Sequence, residues 1–427
     1  MRGFGGAARV TQLVAACAGG IIALTVNATA ATHELYAWQR QSGPEVVEAL
    51  RAFAPQVDGV CVLAAEVGWK GGRMTVFRPK HDYAMLGKLG RPIGLALRIG
   101  PFGGVFASDD ETARSLAKIA REVLADARAG GLEAAELQID FDCAEAKLAG
   151  YGAWLTALRG AAGRTRLTFT ALPVWLKHAE FSVLARAADG FVLQVHSLEK
   201  PTGPDAPFTL CDPERAVAWA RQAGRAGVPF RVALPTYGYA LIFDAAGKFL
   251  ALWAEGPRVD PPRGGRVRVV RAEAPAMARL ARRLAEEAAE NFTGVIWFRL
   301  PVTGDRLNWD ARTLAVVLRG EIPERKLICE VQRPEPGLAE IVLVNAGQTT
   351  EPLPARVDVS AEGGRLLAVD NLGGFQLVMA NGRVQGIVRA VGASEEASLA
   401  PGGRMMIAWL RHDHEIPIVV SLPSSPP

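Results

Sequence analysis

Between His33 and about Gly320 the chain alternates between two hydrophobic periods. Short runs rich in Val, Ile, Leu and aromatic residues read as strands, and between them lie longer amphipathic segments with the 3.6-residue period of a helix. The strand runs are "HELYAW" (33–38), "GVCVLAA" (59–65), "IGLALRI" (93–99), "ELQIDFD" (136–142), "LTFTA" (167–171), "GFVLQVH" (190–196), "FRVALP" (230–235) and "GVIWFR" (294–299). Helical patterns such as "DDETARSLAKIAREVLADARAGG", "GYGAWLTALRGAA", "DPERAVAWARQAG" and "APAMARLARRLAEEAAEN" separate them. Strands that alternate with helices over this length predict a (β/α)8 barrel at 32–322. A doubly wound open sheet would also alternate, but no glycine-rich phosphate turn follows any strand.

From about Leu327 the period shortens. The runs "ICEVQR", "AEIVLVNAG", "ARVDVSA", "RLLAVDN", "FQLVMANG", "VQGIVRAVG" and "RMMIAWLR" alternate in two and are broken by Gly, Asn and Pro, with no helical stretch. This predicts an all-β sandwich at 323–420, followed by a loose tail at 421–427. The first 31 residues carry Arg2 and Arg9, an apolar run from Val10 to Val26 and then Ala28, Thr29 and Ala30, the order of a secretory signal cleaved near Ala31 or Thr32. Export to the periplasm or the exterior is the expectation, with no membrane span in the mature chain. Two alternatives are a lipoprotein processing site at Cys17 and an uncleaved anchor.

Composition narrows the function. A net charge of +4 over 427 residues, with no Lys/Arg run interleaved with aromatics, speaks against nucleic acid. The sequence offers no nucleotide-binding loop, no cofactor site and no metal-ligand spacing. Cys61, Cys143, Cys211 and Cys329 follow the leader, and an exported chain could pair Cys143 with Cys211 because both follow barrel strands; buried free thiols are the alternative.

In a barrel the chemistry lies at the C-terminal ends of the strands, and there this sequence turns polar. In "ELQIDFDCAE" (136–145), Leu137, Ile139 and Phe141 share one face of the strand while Gln138, Asp140 and Asp142 share the other. Two carboxylates two residues apart, about 6.6 Å along the backbone, raise one another's pKa. One can then hold a proton near neutral pH while the other stays ionised, as a general acid and its partner require. Asp140 and Asp142 are therefore candidate catalytic residues. Trp38, Arg98, Gln194, His196, Tyr237, Tyr239, Trp297 and Arg299 stand at other strand ends as candidate binding residues, with Trp175 and Trp309 as weaker aromatic candidates. Aromatics beside acids suggest a neutral ring-shaped substrate such as a sugar. Carboxylates side by side on one strand suit a substrate-assisted hydrolysis better than a pair flanking the bond from opposite faces.

Several segments carry a resemblance. "ELQIDFDCAE", "FRVALPTYGY" and "TGVIWFRLP" look like the fourth, seventh and eighth strands of glycoside hydrolase family 18, the chitinase family, and "IGLALRIGPFGG" is similar to its third. More closely, "LRIGPFGG", "LQIDFDCAE", "VHSLEKP", "APFTLCDP", "LPTYGY" and "RLPVTGDRLNW" resemble a bacterial family of exported proteins known as domain of unknown function 3142, over most of residues 33 to 427. The first resemblance implies a barrel hydrolase with an acid in a D-x-D-x-E strand. Here Asp140 and Asp142 are followed by Ala144, with Glu145 one place late, so either Glu145 reaches in from a loop or Asp142 takes the acid position. The family's M-x-Y-D segment reads Gln194-Val195-His196-Ser197. The expectation is an exported glycoside hydrolase acting on an envelope or extracellular polysaccharide or glycoconjugate. A non-catalytic carbohydrate-binding barrel is the alternative.

Overall fold

The computed structural model describes residues 31–423 apart from 108, 255–259, 288 and 391–396. The expected leader, with its alternatives at Cys17 and as an anchor, lies outside the described residues, as does the end of the tail.

Eight parallel strands form the barrel: β1 Thr32–Ala37, β2 Gly59–Lys70, β3 Ile93–Ile99, β4 Glu136–Phe141, β5 Arg166–Ala171, β6 Phe191–Gln194, β7 Phe230–Pro235 and β8 Phe292–Phe298. Each pairs with the next, and β1 pairs with both β2 and β8, which closes the sheet. One helix follows each strand: α1 Pro44–Phe53, α2 Tyr83–Gly87, α3 Glu111–Ala129, α4 Leu148–Ala162, α5 Ala179–Arg186, α6 Pro213–Gly224, α7 Ala274–Glu286 and α8 Ala311–Leu318. Asp110, Asp212 and Asp310 start α3, α6 and α8 by accepting hydrogen bonds from backbone N–H groups of the first turn.

Two excursions escape the strand–helix pattern. Arg73–Phe77 returns antiparallel along β2 as a hairpin arm. Gly238–Phe243, Phe249–Trp253 and Arg266–Arg271 form a three-stranded sheet between β7 and α7, with the first strand in the middle. These strands pair with each other rather than with the barrel, so their sequence lacks the strand–helix rhythm used to find the others.

Strand alternation divides the barrel residues into two sets. Leu137, Ile139 and Phe141 of β4 join the large core between sheet and helices, with Leu116 of α3 and Trp154 of α4. The lumen is layered differently. Its floor is ionic: Arg231 of β7, buried, hydrogen bonds to Glu34 of β1 and, at 2.5 Å, to Glu136 of β4, which also accepts from the Thr168 hydroxyl of β5. Burial by itself lowers the Arg231 pKa, but Glu136 and Glu34 more than offset this and raise it, so the cation is secure. Above the floor, Gln138 donates to the Tyr36 hydroxyl at 2.5 Å and accepts from the Cys61 thiol at 3.2 Å.

After α8 the chain is antiparallel. One four-stranded sheet runs in the order Leu327–Glu335, Leu338–Asn345, Arg404–His412, Leu366–Asn371, and the other in the order Phe375–Ala380, Arg383–Arg389, Arg356–Ala361, Ile418–Ser421. Ile341, Leu343 and Leu410 of the first share one core with Val357, Phe375 and Ile387 of the second, as a sandwich requires. The last strand continues to Ser421, where the sequence suggested a tail. A two-stranded ribbon, Glu351–Pro352 with Ser398–Leu399, lies beside them. α8 is tied to this region: Arg312 donates to the Pro401 carbonyl and the Thr313 hydroxyl to the Gln348 carbonyl, each at 2.7 Å.

Arg231→Met leaves two carboxylates buried without their cation and is expected to cost about 3–5 kcal/mol in denaturant unfolding. The triple substitution Glu34→Met/Glu136→Leu/Arg231→Met, which removes all three charges, should recover most of that loss. A single-variant loss within about 0.5 kcal/mol, the range of ordinary surface changes, would show that the ionic floor does not hold the barrel.

Candidate active site

The C-terminal end of the barrel opens into a cavity of about 950 Å³. β4 supplies its acids. Asp140 is the last inward-facing residue of the strand, and Asp142 stands one step beyond the strand end, exposed at the rim; both line the cavity. Asp140 is registered opposite Arg98 of β3, and Arg98 opposite Glu66 of β2. The guanidinium lies 3.3 Å from Glu66 and 3.8 Å from Asp140, while Arg40 contacts the same Glu66 at 2.6 Å.

Glu66 reaches this row through a bulge. Cys61 and Leu63 face the lumen, so strict alternation would send Ala65 and Val67 inward. The ladder slips between Leu63 and Ala65, and Ala65 and Val67 turn to the helix-side core instead. One extra residue thereby places a carboxylate at the mouth.

The Asp140 side chain is only 20% exposed. Burial, with the Asp142 charge adding to it, raises its pKa to about 6 against the opposing pull of Arg98 and a hydrogen bond from Thr170. Asp142 is also raised, by burial, with Arg98 opposing. Asp140 therefore favours holding a proton in mildly acidic solution, and Asp142 is shifted in the same direction.

On the opposite wall a hydrogen-bond chain runs through the ends of β6 and β7. His196 Nδ1 lies 3.2 Å from the Tyr237 hydroxyl, which lies 3.0 Å from that of Tyr239, and Tyr239 reaches the Ser197 hydroxyl. Ser197 holds a left-handed backbone, φ 59°, as the chain turns out of β6. Burial drives the His196 pKa down to about 3, so the ring is neutral and serves as a hydrogen-bonding partner rather than an acid. Burial, reinforced by Tyr239, pushes the Tyr237 phenol up, which keeps its proton in place. Gln194, beneath, donates to the His196 carbonyl at 3.3 Å. Arg299 is held by Asp305 at 2.6 Å and by the Ala254 carbonyl at 3.2 Å, and its backbone is clasped by the Thr236 hydroxyl and Asn308. Trp38 packs edge-on against Phe298 at 5.5 Å.

The cavity thus gathers Asp140 and Asp142 with Trp38, Arg98, Gln194, His196, Tyr237, Tyr239 and Arg299. Two expected residues stand apart. Trp297 is fully buried on the helix side of β8, donating to His33 at 3.2 Å, because alternation turns Ile296 and Phe298 inward; Phe298 takes the position expected of it. Glu145 begins a short 3₁₀ turn outside the cavity and is bound by His178 at 2.6 Å and Lys177 at 2.8 Å, hydrogen bonds that hold its pKa down. Trp175 is core, donating to the Cys143 carbonyl at 3.1 Å, and Trp309 donates to the Ala272 carbonyl at 2.8 Å. Cys143 and Cys211 are separate buried thiols, the alternative to the disulfide they could have formed. Burial pushes both thiols up to about 12.

Sequence reasoning missed Phe298, Glu66, Asp305 and Ser197. Phase along β8 could have found Phe298, whereas the bulge hides Glu66 and the pairing with Arg299 singles out Asp305 only in three dimensions. Among the described residues no group of three or more His, Cys, Asp or Glu side chains is placed to hold a metal ion. No described helix is long and apolar enough to cross a membrane.

Among solved structures, the spore cortex-lytic enzyme SleL of Bacillus cereus is similar at 12% identity and TM-score 0.46, over 68% of this chain and 74% of that one. A chitinase from Chromobacterium violaceum is similar at 16% identity and TM-score 0.47, over 68% and 99%. Chitinase ChiA74 from Bacillus thuringiensis is similar at 9% identity and TM-score 0.46, over 92% and 100%. No curated protein matches the chain. Residues 329–413, in the antiparallel region, match a second domain of unknown function, DUF8456. Residues 89–303, just over half of the chain and most of the barrel with its rim, match the domain of unknown function DUF3142, and the chain belongs to that family.

Proposed function

We propose that the protein is an exported glycoside hydrolase acting on an envelope or extracellular polysaccharide, with its acidic centre on β4. The observation that carries this reading is the pair Asp140 and Asp142 in the barrel-mouth cavity, the first raised to about 6. Two neighbouring carboxylates that share a proton suit acid catalysis at a bond whose leaving oxygen must be protonated. Asp142, at the rim, passes the proton that the pair holds to the glycosidic oxygen as the bond from the anomeric carbon breaks, which leaves both carboxylates ionised. Asp140, beneath it, carries the balancing charge, and the acetamido oxygen of the sugar itself attacks the anomeric carbon. Water then completes hydrolysis and returns a proton to Asp142. In the D-x-D-x-E segment of the resembling family, Gln138, Asp140 and Asp142 take the three positions. Tyr237, Trp38 and Phe298 offer ring surfaces and the Tyr237 hydroxyl a donor for sugar recognition. The engagement of Glu145 by Lys177 and His178 favours a second reading, a barrel that binds glycan without cleaving it.

The deciding experiment is release of sugars by the mature chain, from Thr32 onward, from chitin oligosaccharides, peptidoglycan and bacterial exopolysaccharides. Asp142→Asn is expected to lower the rate by 10²-fold or more, and Glu145→Gln to leave it within a few-fold. Saturable binding with no turnover would establish the second reading instead.

The pH dependence follows from the raised carboxylates. Hydrolysis needs the proton held by the pair, so activity should fall as pH rises through about 6. In Asp140→Asn the like charge beside Asp142 is gone, and the alkaline limb of the residual activity should move to lower pH.

Stability carries the same signature. Because the folded-state pKa of Asp140 lies above its ordinary 3.8, the folded protein binds the proton more tightly than the unfolded chain. The favourable contribution is complete below about 4 and is lost as pH rises through about 6, at most about 3 kcal/mol. Asp140→Asn should therefore gain stability over wild type between pH 4 and pH 7 in paired urea titrations. An unchanged difference across that range would contradict the assignment.

A further inference from the structure

A second cavity, of about 560 Å³, adjoins the first and shares Glu45, Val302 and Asp305 with it. Those three residues form the ridge between the cavities: Glu45 comes from the first turn of α1, and Val302 and Asp305 from the segment joining β8 to α8. The ridge is a fixed feature, because Arg299 holds Asp305 at 2.6 Å and the Asp305 carboxylate in turn accepts from the Leu307 N–H at 3.3 Å. Beyond it, the near side of the second cavity is α1, through Glu48 and Phe53, and its floor is Trp309. The far wall belongs to the antiparallel region: Thr350, Ser398 and Ala400. That wall cannot drift from the barrel, since Arg312 and Thr313 of α8 bind the carbonyls of Pro401 and Gln348, on either side of it in the chain.

We infer that the two cavities are one glycan groove, so that the substrate is a chain of several sugars whose distal units rest against the C-terminal sheets; this rests on the glycoside hydrolase reading. Each cavity alone falls within the size that encloses a drug-sized ligand. A single sugar ring fills neither, and a continuous chain fills both. The lining of the second cavity matches such a chain. Glu48, Thr303, Thr350 and Ser398 offer hydrogen-bonding groups, with the buried rings of Phe53 and Trp309 backing the cavity. The antiparallel region then serves as part of the binding surface as well as packing beside the barrel.

The test uses whichever polymer the wild type degrades among chitin, peptidoglycan and the exopolysaccharides, together with purified two-sugar and six-sugar fragments of it. Ala400→Trp fills the second cavity from the sheet side and Glu48→Trp from the helix side, each first checked for an unchanged far-UV spectrum and melting temperature. Wild type should show kcat/KM at least tenfold higher for the six-sugar than for the two-sugar fragment. Each folded Trp variant should reduce that ratio at least fivefold. An undiminished ratio in a folded variant overturns the shared groove and leaves the hydrolase reading standing. Failure of wild type to cleave any of the polymers removes both.

Discussion

The barrel is built around a charge in its floor. Arg231 pairs with both Glu34 and Glu136, and it ties β7 to β1 and β4, strands that do not pair with one another except through the closed sheet. Removing three charges from water is expensive, and only mutual pairing with the Thr168 hydroxyl as a further partner makes the arrangement tolerable. The consequence propagates upward. With the lumen floor ionic, the next layer is also polar, Gln138 bridging Tyr36 and Cys61, and the apolar packing that stabilises the fold is displaced to the outer side of the strands, where the helices lie. Above that layer the lumen carries an apolar cluster of its own, with Leu63, Val192 and Ile296, before the mouth turns polar again.

At that mouth the electrostatics are arranged by neighbouring strands rather than by one motif. Glu66, Arg98 and Asp140 stand in register on β2, β3 and β4. Arg98 is shared between two carboxylates, so it only partly offsets the burial of Asp140, and the acid remains raised. Glu145 experiences the opposite environment a few residues later, where Lys177 and His178 keep it ionised outside the cavity. Across the cavity, the neutral His196 and the Tyr237 and Tyr239 hydroxyls present a fixed line of hydrogen bonds with no net charge. An acidic pair faces a neutral wall with aromatic surfaces between, a division suited to an uncharged, hydroxyl-rich ligand.

The sequence by itself determined the barrel, its eight strands, the antiparallel region after α8 and the position of the acidic pair. Those features are local: a period of two or 3.6 is written in consecutive residues, and carboxylates on the inward phase of β4 stand out against Leu137, Ile139 and Phe141. Tertiary structure decided what depends on neighbours far along the chain. A bulge in β2, invisible in its composition, brought Glu66 to the mouth. The phase of β8 exchanged Trp297 for Phe298. Contacts from Lys177 and His178 hold Glu145 outside the cavity. Arg231, unremarkable in "FRVALP", became the ionic centre of the floor only once closure of the sheet set it between Glu34 and Glu136. Burial, charge partners and register are properties of the assembled sheet, and they decide which polar residues share a site.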